Sequence, residues 1–151
     1  ADLMAEVIEP YRSGMPARVT LDVQVPDELP AIRVDRSLIG RALTNLVENA
    51  LHAMPGGGSI TVTGWCSPDG RSVSLAVRDT GAGMDAAALG RIFEPYFSTK
   101  AVGTGLGLTI AKRNVELHGG SIEVESAAGL GTLVTITLPV DMPGASAAGA
   151  G

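Results

Sequence analysis

Residues 59–79 read SITVTGWCSPDGRSVSLAVRD. Ser59–Trp65 has the composition and length of a strand, Ser67-Pro68-Asp69-Gly70 is a turn, and Ser72–Arg78 reads as a second strand. Two strands joined by so short a turn form a hairpin, which makes part of the sheet antiparallel. Asp79 falls at the end of the second strand, directly before Thr80-Gly81-Ala82-Gly83.

Upstream, Asp35 is a good N-cap for a long helix running to about Met54, stopped by Pro55-Gly56-Gly57-Gly58. Before it, Val19, Leu21, Val23 and Val25 alternate with Thr20, Asp22 and Gln24, the pattern of a half-buried strand closed by Pro26 and Pro30. Ile32-Arg33-Val34 fits a short further strand. Leu3, Met4, Val7, Ile8 and Tyr11 recur at helical spacing, so a first helix is predicted over Asp2–Ser13. Downstream, Asp85–Leu89 allows only a short helix. Leu106–Leu117 is helical with Gly119 as C-cap, and Ser121–Glu125 and Thr132–Leu138 are strands around Gly129-Leu130-Gly131. Hairpins separated by clustered helices predict a two-layer α+β sandwich, with a mixed, mostly antiparallel sheet and helices on one face. Residues 1–140 are expected to form one domain. Residues 141–151, small and with nothing to bury, are expected to be a disordered tail or an artificial extension.

The 151-residue chain is long enough to bury a real core, and its 45% hydrophobic content is that of a globular protein. Net charge is −5 with no basic run, which argues against nucleic acid or a membrane surface as partner. A polyanion would have to be held locally by backbone amides and a few cations. Cys66 is the only cysteine, so no internal disulfide forms, and no apolar run is long enough to span a bilayer. The chain begins without Met and mid-pattern, as an excised domain would. A cytoplasmic location is expected, with any membrane anchor elsewhere in a full-length protein.

On the long helix, Asn45, Glu48, Asn49 and His52 share one face at i, i+3, i+4 and i+7, nearly opposite Leu43, Leu46, Val47, Ala50, Leu51 and Met54. The core is complete without them. They are either a solvated face or a ligand set in which Asn oxygens suit Mg²⁺ beside phosphates, Glu48 serves as a base and His52 touches phosphate. Asp79 is either a turn-forming residue or a carboxylate that accepts a hydrogen bond from an exocyclic amine such as adenine's. Gly81-x-Gly83-x-x-Ala86 imitates a dinucleotide fingerprint, but the following helix is too short for a βαβ crossover. Gly103-Thr104-Gly105-Leu106-Gly107-Leu108 enters a helix and is either an anion site made of free N–H groups or an ordinary tight loop. Between the glycine clusters, Phe93 and Phe97 are expected in the core. Lys100 reaches either a phosphate or solvent. His118, ahead of Gly119-Gly120, is expected to cap the last carbonyls of its helix.

Taken in order, these segments resemble the catalytic ATP-binding domain of sensor histidine kinases, within the gyrase–Hsp90–histidine kinase–MutL (GHKL) superfamily and its Bergerat fold. Asn45-Leu-Val-Glu-Asn49-Ala resembles the N box, Asp79-Thr-Gly81-Ala-Gly83-Met the G1 box, Arg91-Ile-Phe93-Glu-Pro-Tyr-Phe97 the F box and Gly103-Thr-Gly105-Leu-Gly107-Leu the G2 box. FEPYFSTK and NALHAM look most like the nitrogen-regulation type. The resemblance implies that Asn49 places its amide oxygen on Mg²⁺, that Asn45 contacts phosphate or metal-bound water, and that Asp79 reads the adenine amine. It further implies that Gly81 and Gly83 let the backbone pass the base. The helix-start group Thr104, Gly105, Leu106 and Gly107, with Lys100 and His52, would serve the phosphates, and Glu48 would deprotonate an acceptor histidine. Where this chain has Asn45, gyrase-like and Hsp90-like relatives carry a water-activating Glu, so negligible ATP hydrolysis is expected. His52 replaces a frequent Lys or Arg, and the segment from Phe97 to Gly103 is short for a lid.

Neither His52 nor His118 lies in an acceptor setting. The implied partners are therefore a dimerisation and histidine-phosphotransfer domain of the same full-length kinase and a downstream response regulator. Two alternatives share the residues: a protein-serine kinase of the anti-sigma-factor type, and a non-catalytic nucleotide-binding module that signals by lid movement.

Overall fold

The computed structural model describes residues 6–10, 19–26, 35–54, 56–81, 83, 86–90 and 107–140. The elements are α1 (residues 6–10), β1 (Val19–Gln24), α2 (Arg36–His52), β2 (Gly58–Cys66), β3 (Ser72–Asp79), α3 (Ala86–Leu89), α4 (Gly107–Leu117), β4 (Ser121–Ala127) and β5 (Gly131–Pro139). The strand expected at Ile32–Val34, the F box, Phe93, Phe97, Lys100, Thr104, Gly105, Leu106 and the tail lie outside the described residues.

The strands form one sheet in the order β1-β2-β3-β5-β4. The β2–β3 and β4–β5 hairpins are antiparallel, as is the β3–β5 pair that joins them, while β1 runs parallel to β2. That parallel pair follows from the connection: α2 carries the chain back across the sheet between the two strands, as parallel neighbours require.

Strand alternation gives the sheet two unlike faces. Ile60, Val62, Leu75, Val77, Val134, Ile136 and Leu138 point to one side, where α2 and α4 cover them with Ile39, Leu43, Leu46, Val47, Leu108, Ala111 and Val115. The register places Thr63, Ala76 and Thr135 in one row of the other face, and Trp65, Ser74 and Thr137 in the next. On that face the Ser74 and Thr137 hydroxyls are 3.0 Å apart. The helices therefore sit on one face, as expected for a two-layer α+β domain.

The Asp35 N-cap is formed as the sequence predicts: Oδ1 accepts the Ser37 and Leu38 N–H groups at 2.9 and 3.1 Å. The α2 helix ends at His52 rather than Met54, and β2 starts at Gly58, inside the glycine run expected to be loop. Pairing decides that boundary, because Gly58 lies opposite Val19 in the parallel ladder. The α3 helix has only four residues, which leaves no βαβ crossover after the G-x-G-x-x-A pattern.

Candidate functional site

Asp79 is the last residue of β3, a central strand, and only 5% exposed. It lies in register with Ile60 on β2 and Thr132 on β5, and Thr132 with Ser126 on β4, so one row across the helix-covered face reads Ile60, Asp79, Thr132, Ser126. The carboxyl Oδ1 accepts the Gly81 N–H at 2.8 Å. Burial is the main influence on this group and raises its pKa, while the Gly81 and Thr132 backbone amides act in the opposite direction. The turn-forming role is thus present. Oδ1 closes the Asp-x-Gly turn.

Glycines frame this carboxyl because backbone passes where side chains would stand. A Cβ on Gly81 would run into the Ala53 carbonyl at the end of α2, and one on Gly83 into the Ala127 carbonyl of the β4–β5 turn. Gly131, at φ +90°, leaves no room for a Cβ against the Asp79 carbonyl. The loop after Asp79 is therefore wedged between α2 on one side and the β4–β5 turn on the other. Thr80 completes the wedge from the sheet. Its N–H donates to the Ser59 carbonyl at 3.2 Å, and its Oγ1 accepts the Ser59 N–H at 3.0 Å.

Asn45, Glu48 and Asn49 are half-buried on α2, not a solvated face. The Asn45 Nδ2 atom is fully buried, with no hydrogen-bond partner among the described residues. An unpaired buried N–H costs about 1–3 kcal/mol, so such a donor calls for an acceptor beyond the described residues. The backbone of His52 lies in the last turn of α2, and its side chain is outside the described atoms. Gly107 opens α4. The two helices run antiparallel, because Leu38 pairs with Asn114 and Asp35 with His118. At about 1.5 Å of rise per residue, the start of α4 then comes level with the Asn45 turn of α2.

The structure therefore brings together Asp79, Gly81 and Gly83 with the last turns of α2, and sets the start of α4 beside that helix. Thr132 and Ser126 were not singled out from the sequence. The Ser126 Oγ donates to the Gly131 carbonyl at 2.9 Å and lies 2.9 Å from the Thr132 Oγ1, fixing the turn that supports Asp79. Thr132 shares the phase of Val134, Ile136 and Leu138, and a hydroxyl in a core phase was the available signal.

The model of the histidine kinase-, DNA gyrase B- and HSP90-like ATPases matches residues 34–142, a span that includes Asp79, its glycine frame and the Asn45–Asn49 face. The chain belongs to this ATPase family. Among curated relatives of this ATPase domain, the sensor histidine kinase ZraS of Klebsiella oxytoca is 46% identical over 123 residues, which is 82% of this chain and 26% of ZraS. AtoS of Escherichia coli, a signal transduction histidine-protein kinase, is 36% identical over 132 residues, 87% of this chain and 22% of its own length. The chain thus spans about a quarter of the length of these curated relatives. Among solved structures, the catalytic domain of the histidine kinase ThkA superposes with a TM-score of 0.79 at 28% identity, covering 91% of this chain and 92% of that one. Full-length ShkA in complex with AMPPNP superposes at 0.81 and 29% identity, covering 94% of this chain and 30% of ShkA. ThkA bound to the response regulator protein TrrA gives 0.77 at 26% identity, covering 93% of this chain and 40% of that one.

Proposed function

We propose that this chain is the catalytic ATP-binding unit of a sensor histidine kinase, binding Mg-ATP and donating the γ-phosphate to a histidine on a separate dimerisation domain of the same full-length protein. The observation that carries the reading is the buried Asn45 Nδ2, without a hydrogen-bond partner among the described residues, set on the helix whose end abuts the Asp79 loop. A neutral amide there can bind but cannot take a proton from water, so the fold is arranged for transfer rather than hydrolysis. ShkA's complex with an ATP analogue and ThkA's complex with a response regulator support the nucleotide and the downstream partner.

In this reading Asp79 accepts the adenine amine through its second oxygen, and the backbone at Gly81 and Gly83 runs beside the base. Asn49 holds Mg²⁺ by its amide oxygen, and Asn45 donates to a phosphate or to metal-bound water. Those donors fit a hard cation beside phosphates: neutral amide oxygens, with an N–H left over for the anion. Bound Mg²⁺ supplies charge neutralisation, the larger part of phosphoryl-transfer catalysis together with positioning. The amides at Gly105 and Gly107, with Thr104, Leu106, Lys100 and His52, receive the phosphate chain, and Glu48 takes the proton of the acceptor histidine. Residues 1–140 act as one catalytic unit and 141–151 as an appendage. Ile8 and Val19, which precede the matched span, already pack in the same core. Among the described residues no helix is long and apolar enough to cross a membrane. A cytoplasmic location is part of the proposal.

The test is reconstitution. The chain, supplied with γ-labelled ATP, Mg²⁺ and a helical hairpin bearing the acceptor histidine, is expected to label the hairpin with acid-labile phosphate while releasing little free phosphate alone. Acid-stable phosphate would move the reading to a serine kinase, and rapid turnover without the hairpin would move it to an ATPase.

A second expectation concerns Asn45 itself. Asn45→Ala removes the unpaired buried donor, so the nucleotide-free variant should melt no lower than wild type by calorimetry. In the same variant Mg-ATP affinity should fall about 10-fold, the worth of one hydrogen bond to a charged group. A lower melting temperature with unchanged affinity would make Asn45 a structural residue.

A further inference from the structure

Two side chains at the end of α4 hold the beginning of α2. Asn114, which is buried, donates through Nδ2 to the Leu38 carbonyl at 2.8 Å. One turn on, the His118 Nε2 accepts the Asp35 backbone N–H at 2.9 Å, and its Nδ1 lies 2.7 Å from the Asn114 carbonyl. A backbone N–H can only donate, so Nε2 carries no proton, and Nδ1 is the nitrogen that donates to Asn114. Both ring nitrogens are thus committed, one within its own helix and one across to α2. The expected capping of the last carbonyls is half of what His118 does.

These bonds tie the two helices at the ends remote from the Asp79 loop. From the tie, α2 runs on to Asn45, Glu48 and Asn49, and α4 runs back to Gly107. Asp79 is held otherwise, by the bonds of its neighbour Thr80 to Ser59 of β2 and by Gly131 and Thr132 from β5.

We propose that Asn114 and His118 are positioning residues: their clamp sets the axial register of α4 against α2, and with it the place of the helix-start amides relative to the Asn45 and Asn49 side chains. The proposal rests on the nucleotide site described above and concerns only its phosphate end. Helices slide along one another in steps of an ångström or so, and misplacement on that scale is costly where groups must converge on one phosphate. The clamp removes that freedom without touching the base-reading carboxyl.

Two substitutions separate this role from general stability. In His118→Gln, Oε1 stands as many bonds from Cα as Nε2 does and can accept the Asp35 N–H. In His118→Asn, the shorter amide can donate to the Asn114 carbonyl as Nδ1 does but cannot reach α2. Mg-ATP and adenosine are titrated into wild type and both variants, well below each melting temperature. His118→Asn is expected to weaken Mg-ATP about five-fold or more, the lower range for coupling between distant sites, and to leave adenosine affinity unchanged. His118→Gln is expected to return Mg-ATP affinity to within about two-fold of wild type. In the ¹⁵N spectrum of wild type, His118 is expected as the Nδ1–H tautomer. Equal Mg-ATP losses in both variants, equal loss of adenosine, or an Nε2–H tautomer overturns the clamp. Wild type that binds neither ligand overturns the nucleotide reading together with the clamp, whereas normal wild-type binding with no Gln–Asn difference overturns the clamp alone.

Discussion

Asp79→Asn is expected to weaken ATP binding about 100-fold, the scale of a charged hydrogen bond lost with its partner left facing the wrong group. The wild-type carboxyl offers two acceptors, and the Gly81 N–H occupies Oδ1. In the variant that same N–H retains the amide oxygen, so the amide NH₂ faces the adenine amine, donor against donor. The ratio of inosine triphosphate to ATP affinity should rise, because the 6-oxo group accepts where the amine donates. Titration of the two nucleotides measures both effects, and equal ATP affinity in variant and wild type would remove the base-reading role from Asp79.

The same variant has a stability signature. Burial raises the Asp79 pKa in the folded protein, so folding favours the protonated form. Between the unfolded value of about 4 and the raised folded value, the native state binds more protons, and this stability is lost as pH rises through that window. Asp79→Asn does not titrate. Its melting temperature relative to wild type should therefore climb with pH across the window and level off above it. Calorimetry of both proteins in a common buffer series checks this, and a difference independent of pH would mean that burial does not perturb the group.

Gly131→Ala is expected to cost about 3–5 kcal/mol, combining backbone strain with overpacking against a carbonyl that belongs to the sheet. The φ of +90° disfavours any L side chain, and the new Cβ has no space against the Asp79 carbonyl and Thr80 Cα. For a chain of this size that corresponds to a fall of about 10 °C in melting temperature. Gly129→Ala is the control. Its φ is +82°, but a Cβ there meets nothing within 4 Å, so only the strain of about 1 kcal/mol should appear. Equal melting temperatures for the two variants would show that the close approach to Asp79 is not what Gly131 provides.

The architecture was legible because it is written in local signals. The alternation at 19–25, the turn at 67–70 and the Asp35 N-cap each fix an element without reference to the rest of the chain. Strand ends were less legible. Gly58 reads as a breaker, and only its pairing with Val19 makes it strand. The site divides in the same way. Asp79 was visible because an acid ends an apolar strand before glycines. Gly131 and Ser126 support it from the other hairpin, and nothing local connects them to it. The reach of His118 to Asp35 was illegible for the same reason. The two are 83 positions apart and meet only once the helices pack.

The row that joins Asp79 to Thr132 has a kinetic meaning. Asp79 and Thr132 are about 50 residues apart, and closing such a loop is slow next to forming either hairpin. The surroundings of Asp79 are therefore among the last parts of the domain to form during folding, and a chain emerging from synthesis lacks them until β5 arrives. In the proposed function, nucleotide binding, which stabilises only states in which Asp79 and β5 are paired, then acts as a seal on completed molecules and leaves half-made ones exposed to disposal.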